Sequence, residues 1–145
     1  APRRWMPWLG TGLLLAIAIL LGARRHLRVV AGFALPLWLL CGIAGLVMLY
    51  LWGFSEHRAG WANRNLLLLN PLCLLLLPGA ISVLRRRTPA AWFSWLTLVV
   101  AGCALLAWFL HWLPLALQYN QSGVALWLPV HLALAYVFRP KDLSS

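Results

Sequence analysis

The sequence predicts an all-α integral membrane protein, a bundle of five transmembrane helices, and three observations lead to this prediction. Hydrophobic residues make up 63% of the 145 residues and charged residues only 10%, against roughly 45–50% and 25% in soluble domains. The two acidic and twelve basic side chains are too few to surround a core of this size with a polar shell in water. The chain also divides into apolar runs close to the ~20 residues that a helix needs to cross a bilayer. Lipid is therefore the predicted solvent for most of the chain.

Five apolar runs are the predicted membrane spans. They cover about 8–22, 29–52, 66–84, 90–110 and 124–138. The first and last runs are short for a span, so we expect them to extend into flanking residues. Helices are the expected structure, because an open strand would leave backbone groups unpaired in hydrocarbon and the alternating pattern of a barrel strand is absent. Residues 1–145 are expected to form one domain, the C-terminal part of a longer polypeptide.

Basic residues occur in short clusters between the apolar runs, and their distribution predicts the orientation. The segments with more Lys and Arg, eight in total, are 23–28, 85–89 and 139–145, and the other three inter-span and terminal segments hold four. Because cytoplasmic loops collect Lys and Arg, the N-terminus is predicted outside and the C-terminus in the cytoplasm. A nucleic-acid partner is not expected, because the basic residues are not gathered on one face with aromatic or polar side chains between them to contact bases.

One stretch, FSEHRAGWANRNLLLLNPL at 54–72, concentrates polar side chains between two apolar runs. In the predicted topology it is an outer loop that leads into the third span. Asn63 and Asn65 are well placed to cap that helix. Asn70 is expected about one turn inside the span, where an unpaired amide costs several kcal/mol, and Pro71 is expected to loosen the helix there. We therefore expect Asn70 to bond to backbone, to another helix or to a ligand head group.

Three of the four histidines lie on the outer side of the predicted bundle. His57 is in the polar stretch, His111 ends the fourth span, and His131 is about two turns inside the fifth. In one interpretation His111 is an interfacial residue and His131 bonds between helices. In the other, the outer histidines converge and His57 acts as a general base or binds a phosphate or ester carbonyl. Zinc bound by these histidines and Glu56 is not expected, because no metal-ligand spacing is present, and no cofactor is predicted.

Small residues inside the spans are expected to serve packing. Cys41, Cys73 and Cys103 each lie within an apolar span and imply no disulfide framework. Gly42 and Gly45 are expected to give the second span a smooth face for close helix approach. No charged residue occurs in the middle of a span, which argues against an ion channel or a proton-coupled transporter.

The polar stretch also resembles the motif of a known family. Its pattern is an aromatic residue, Ser or Thr, any residue and His, then a spacer, then Asn-x-Asn-Leu-Leu-x-x-Asn-Pro-Leu. The matching residues are Phe54, Ser55, His57, Asn63, Asn65, Leu66, Leu67, Asn70, Pro71 and Leu72. The chain resembles the C-terminal five-helix transmembrane domain of the Lnb-like family, whose N-terminal part is extracytoplasmic. Family members include bacterial lipoprotein intermolecular transacylases, which move an acyl chain and leave a lyso lipoprotein.

The resemblance implies a multi-pass protein of the bacterial inner membrane. Its membrane domain would hold lipid or lipoprotein acyl chains at the outer leaflet for the extracytoplasmic domain of the same polypeptide. His57 is the candidate catalytic residue, and the candidate substrate-binding residues are Ser55, Glu56, Asn63, Asn65, Asn70, His111 and His131. The alternative is a non-catalytic membrane anchor or assembly module, in which the motif only shapes the outer loop. Helix capping explains Asn63 and Asn65 but does not require Ser55, His57 and Asn70 as well.

Cysteine labelling tests the predicted orientation. A membrane-impermeant thiol reagent added from outside is expected to label cysteines placed at Gly60 and Asn120, because both positions are in predicted outer loops. A cysteine placed at Thr88, beside the arginine cluster, is expected to stay unlabelled. The reverse labelling pattern contradicts the predicted topology.

Overall fold

The computed structural model describes residues 6–54, 69–111 and 121–140, and the regular elements within these ranges are all helical. The helices are α1 (Met6–Arg25), α2 (Leu27–Phe54), a 3-10 helix (Pro71–Leu76) that continues into α3 (Leu77–Leu84), α4 (Ala91–His111) and α5 (Gln121–Val137). The predicted all-α fold with five helical segments is confirmed. The predicted orientation, with the N-terminus outside, stays a prediction.

Within the described ranges, three helical segments are long and apolar enough to cross a membrane. They are Met6–Arg25, Leu27–Leu51 and Ala91–Phe109, and two shorter apolar helices cover Pro71–Leu84 and Gly123–Val137. The first helix extends beyond the predicted 8–22 at both ends, because each extra turn satisfies backbone groups that hydrocarbon would leave unpaired. It ends at Arg24 and Arg25, whose long side chains can reach the interface.

The third segment begins later than predicted, and Pro71 has a different role. Leu69 and Asn70 are not helical, so the helix begins at Pro71 rather than at 66. Pro71 does not loosen this helix but starts it, since the first helical position needs no N–H donor and the ring holds a helical φ. Six residues of 3-10 helix and eight of α-helix extend about 24 Å. This length is less than the roughly 30 Å of a hydrocarbon core.

The five segments pack side by side in a ring. In this ring α1 contacts α5 and α2, α2 contacts the 3-10 helix and α3, the 3-10 helix contacts α4, and α4 contacts α5. Three buried aromatic rings, those of Trp38, Phe93 and Phe138, fill the interior, with centroids 5.3, 5.8 and 5.9 Å apart. The outer surface is covered by exposed apolar side chains such as Leu14 and Leu40. An apolar interior with an apolar exterior is the pattern of a bundle solvated by lipid.

All the arginines in the described part of the chain lie at one end of the ring, which we call the arginine end. They are Arg24, Arg25, Arg28, Arg85, Arg86, Arg87 and Arg139. The end of α3 and the start of α2 are joined there by a hydrogen bond of 3.1 Å, in which Arg28 Nε donates to Leu84 O. The predicted topology requires these clusters to share one end of the bundle, and they do.

The close approach predicted for the second span is confirmed at Gly42 and Gly45. A Cβ atom added to Gly45 would lie 2.6 Å from Pro71 N and 2.7 Å from Pro71 Cδ, and one added to Gly42 would meet the Leu74 side chain. Both distances at Gly45 are shorter than real Cβ contacts, and the obstruction includes backbone. The start of the third segment therefore rests directly on the backbone of α2.

Gly45→Ala is expected to lower the free energy of unfolding by about 1–3 kcal/mol, because the added methyl group forces backbone apart in a packed interface. Gly102→Ala, in α4, is the matched control, since nothing lies within 4 Å of a Cβ added there and alanine favours a helix. Unfolding of both variants in detergent measures the difference. Equal stability of the two variants would show that the contact at Gly45 is not tight.

Candidate functional site

Asn70 is a buried polar residue that starts the third segment. Its backbone is extended, with φ −108° and ψ 125°, and its side-chain Oδ1 accepts a 2.9 Å hydrogen bond from the Leu72 N–H. Its carbonyl oxygen accepts a second bond of 2.9 Å from the Cys73 N–H. These bonds satisfy N–H groups that a helix start otherwise leaves without partners. The expectation that Asn70 bonds to backbone instead of facing lipid is confirmed.

Helix lengths indicate that Asn70 lies within the thickness of the membrane. Its neighbour Leu69 contacts Gly45 through the carbonyl oxygen, and Gly45 is about 13 Å along the axis from the end of α2 at Phe54. Measured from Leu27 at the arginine end, Gly45 is about 27 Å away. A hydrocarbon core of about 30 Å that begins at Leu27 would end just beyond Gly45, which puts Asn70 just inside the boundary opposite the arginine end.

The three cysteines contribute to the surroundings of Asn70, which the sequence did not indicate. The Cys103 thiol of α4 interacts with the Asn70 side chain as a hydrogen-bond partner, and Cys73 is close enough to Cys41 and Cys103 to interact with both electrostatically. All three thiols are free. Cys41 and Cys73 are buried in the core, as expected of packing residues. In addition, α2, the 3-10 helix and α4 bring the three cysteines near one another. Apolar periodicity carries no signal for such contacts between helices.

His131 is buried in α5. The helix begins at Gln121 rather than 124, so His131 is nearly three turns from its start. Leu128, about one turn before His131, packs in one cluster with Ala104 of α4, and Asn70 interacts with Cys103, the neighbour of Ala104. His131 is therefore about one turn from the level of Asn70, and a shared site of the two residues stays a prediction.

The other predicted site residues lie outside the described part of the chain. Ser55, Glu56, His57, Asn63 and Asn65 fall within 55–68, and His111 is described only as the last residue of α4. Convergence of His57 with Asn70 stays a prediction. Among the residues that the structure describes, no group of His, Cys, Asp and Glu is arranged to hold a metal ion. Glu56 and His57 are not among them, so the expectation of no metal also stays a prediction.

A cavity lies at the arginine end, and the sequence does not indicate it. It has a volume of about 740 Å³ and is lined by His26, Arg28, Arg86, Arg87 and apolar neighbours. From the sequence alone, the arginine runs indicate only the topology. Their spacing along the chain does not reveal that the start of α2 and the end of α3 face each other across a cavity.

The helical ring and its apolar exterior define the membrane domain of a multi-pass protein. Residues 5–142 match the family described as the Lnb transmembrane domain, and the chain belongs to this family. The resemblance drawn from the polar stretch at 54–72 is thereby confirmed. Comparisons with curated proteins and with solved structures give no match.

Substitution of Asn70 separates capping from other roles of the side chain. Asn70→Ala is expected to lower the free energy of unfolding by about 1–2 kcal/mol, because the Leu72 N–H loses its acceptor at a buried helix start. Asn70→Ser is expected to retain most of the stability, since serine is also a good N-cap. Unfolding in detergent measures both variants. A serine variant as unstable as the alanine variant contradicts a capping role.

Proposed function

We propose that this domain holds the acyl chain of a lipid or lipoprotein at the membrane boundary opposite the arginine end. An extracytoplasmic domain of the same polypeptide would then transfer the acyl group. Membership of the Lnb transmembrane family supports this role. The main supporting observation is the position of Asn70, a buried carboxamide at membrane depth near the end of the polar stretch 54–72.

The chemistry of Asn70 suits recognition of a lipid ester. A carboxamide has two N–H donors besides its oxygen acceptor, and only the oxygen is needed to cap the 3-10 helix. The thiol of Cys103 beside it is a weak hydrogen-bond partner. Lipid ester groups lie at the edge of the hydrocarbon core, which is the depth of Asn70. Because water is largely excluded there, a hydrogen bond donated to an ester carbonyl or phosphate oxygen contributes more binding free energy than it would in water.

His57 is the proposed proton-transfer group. During acyl transfer the acceptor nucleophile bonds to the acyl carbon, and the ester C–O bond of the donor breaks. The proton lost by the acceptor passes to the leaving oxygen, which gives the lyso product. An imidazole can carry that proton or donate to the ester carbonyl at neutral pH. Ser55, Glu56, Asn63 and Asn65 are proposed to line or brace this site.

A membrane anchor or assembly module is the second candidate function. One observation favours it: the hydrogen bond from the Leu72 N–H to Asn70 Oδ1 accounts for a buried asparagine without any ligand. In that case the third segment needs Asn70 only to begin its helix.

Acyl-transfer assays on the full-length protein distinguish the two candidates. His57→Ala and Asn70→Ser are each expected to lower lipoprotein acyl transfer by about 10²-fold or more, the usual scale for a positioned proton-transfer group or oxyanion donor. The serine variant keeps the helix cap, so its loss of activity reports the missing amide and not misfolding. Membrane levels of both variants are expected to stay normal.

Thr11→Ala is the matched control, because Thr11 is on the exposed surface of α1 and bonds only within its own helix, to Pro7 O, among the described contacts. Its activity is expected to equal that of the parent protein. Unchanged acyl transfer in both the His57→Ala and Asn70→Ser variants would favour the anchor.

A further inference from the structure

The cavity at the arginine end collects hydrogen-bond donors. Its volume is about 740 Å³, and it lies between the start of α2 and the end of α3. Three guanidinium groups, an imidazole and a hydroxyl group line it, from Arg28, Arg86, Arg87, His26 and Thr88. Guanidinium groups bind phosphate with paired N–H donors in a fixed geometry. The lining therefore has the chemistry of a phosphate site.

Arg28 is held in place at this cavity. Its Nε donates to Leu84 O at 3.1 Å, which also satisfies a carbonyl at the end of α3. A guanidinium group has five N–H donors, so this bond fixes the side chain and leaves further donors for an anion. A positioned arginine loses less conformational freedom on binding than a mobile one.

Arg86 occupies a backbone position that usually favours glycine. Its φ is 57°, in the left-handed region. The Arg86 N–H bonds to Val83 O at 3.0 Å and the Arg87 N–H to Ser82 O at 2.8 Å, which is the Schellman pattern that ends a helix. Glycine is the common residue at this position because it has no Cβ to strain the backbone. An arginine at this position therefore carries backbone strain that a glycine would not.

The positive charge at the arginine end is not balanced by carboxylates in the described part of the chain. The two acidic residues, Glu56 and Asp142, lie outside the described residues, whereas seven arginines lie within them at this end. Closely spaced like charges repel one another, so a bound anion lowers the free energy of this end.

The walls of the cavity continue onto the lipid-facing surface. Leu27 and Val29 line it and are 48% and 59% exposed. Leu27 also lines an apolar groove of about 980 Å³ between α1 and α5, whose charged lining residues in the described chain are Arg24 and Arg139. A molecule bound here thus meets cations at one end and apolar side chains beside them.

We propose that the cavity binds the phosphate of an anionic phospholipid in the leaflet at the arginine end. The phosphate lies against Arg28, Arg86 and Arg87, and an acyl chain lies along the apolar surface beside Leu27. Basic pockets between transmembrane helices bind anionic head groups in this way. The site is separate from the proposed acyl-transfer site, which is at the opposite boundary.

Lipid titration followed by native mass spectrometry of the full-length protein tests the proposal. Phosphatidylglycerol is expected to bind more tightly than phosphatidylcholine with the same chains. The double substitution Arg86→Gln and Arg87→Gln is expected to weaken phosphatidylglycerol binding by about 30-fold, because each arginine near an anionic lipid raises the affinity roughly fivefold. The control is Arg25→Gln with Arg85→Gln, which removes the same charge at the same end from residues that do not line the cavity. The control is expected to retain the affinity within about threefold.

A second variant excludes misfolding as the cause of weaker lipid binding. Arg86→Gly places the residue that this backbone conformation favours, so its melting temperature is expected to equal or exceed that of the parent protein. Its affinity for phosphatidylglycerol is nevertheless expected to fall about fivefold. Parent affinity in this variant overturns the proposal.

Two further outcomes also overturn it. An equal loss in the control pair and the cavity pair would mean that the whole basic surface attracts anionic lipid without a defined site. Stabilisation of the protein by millimolar inorganic phosphate, equal to that by phosphatidylglycerol, would mean a site for soluble anions and not for lipid.

Discussion

The hydrogen bond from the Leu72 N–H to the Asn70 side chain determines how the third segment enters the membrane. A helix that begins inside hydrocarbon has N–H groups that water cannot satisfy. Asn70 accepts one of them, and Pro71 has none to satisfy. The helix can therefore begin at the depth of Gly45, about 13 Å before α2 ends. The close contact between Gly45 and Pro71 then fixes this start against α2.

This arrangement makes the two ends of the ring chemically different. At one boundary a carboxamide and thiols lie among apolar side chains, and a polar stretch of the chain leads directly to them. At the other, arginines from several helix ends gather with no carboxylate among the described residues. Our two proposals assign a different part of a lipid molecule to each end, the ester groups to one boundary and the phosphate to the other.

The composition was sufficient to predict the helical fold. Apolar runs long enough to span the bilayer form helices, because a helix pairs all the backbone groups that lipid cannot satisfy. Hydropathy placed the start of the third span at 66, since Leu66 to Leu69 are as apolar as the helix itself. Asn70 followed by Pro71 is a cap and first-turn signal, and it would have located the start correctly. The burial of Asn70 was predictable from the cost of an unpaired amide.

Apart from the close approach at Gly42 and Gly45, the contacts between helices were not predictable from the sequence. The spacing of Cys41, Cys73 and Cys103 does not indicate that they share one level. Their level depends on how far each helical segment is shifted along the bundle axis. The depth of His131 depends in the same way on where α5 begins. The cavity at the arginine end needs the left-handed turn at Arg86, and arginine is not the residue that normally marks such a turn.

Residue-resolved amide hydrogen exchange in lipid nanodiscs tests most directly whether the third segment begins inside the membrane. The amides of Leu72 and Cys73 are expected to exchange slowly, comparably to the amide of Cys41 within α2, because they are bonded to Asn70 at membrane depth. Rapid exchange of both, at the rate of a water-exposed loop, would contradict a capped start within the bilayer.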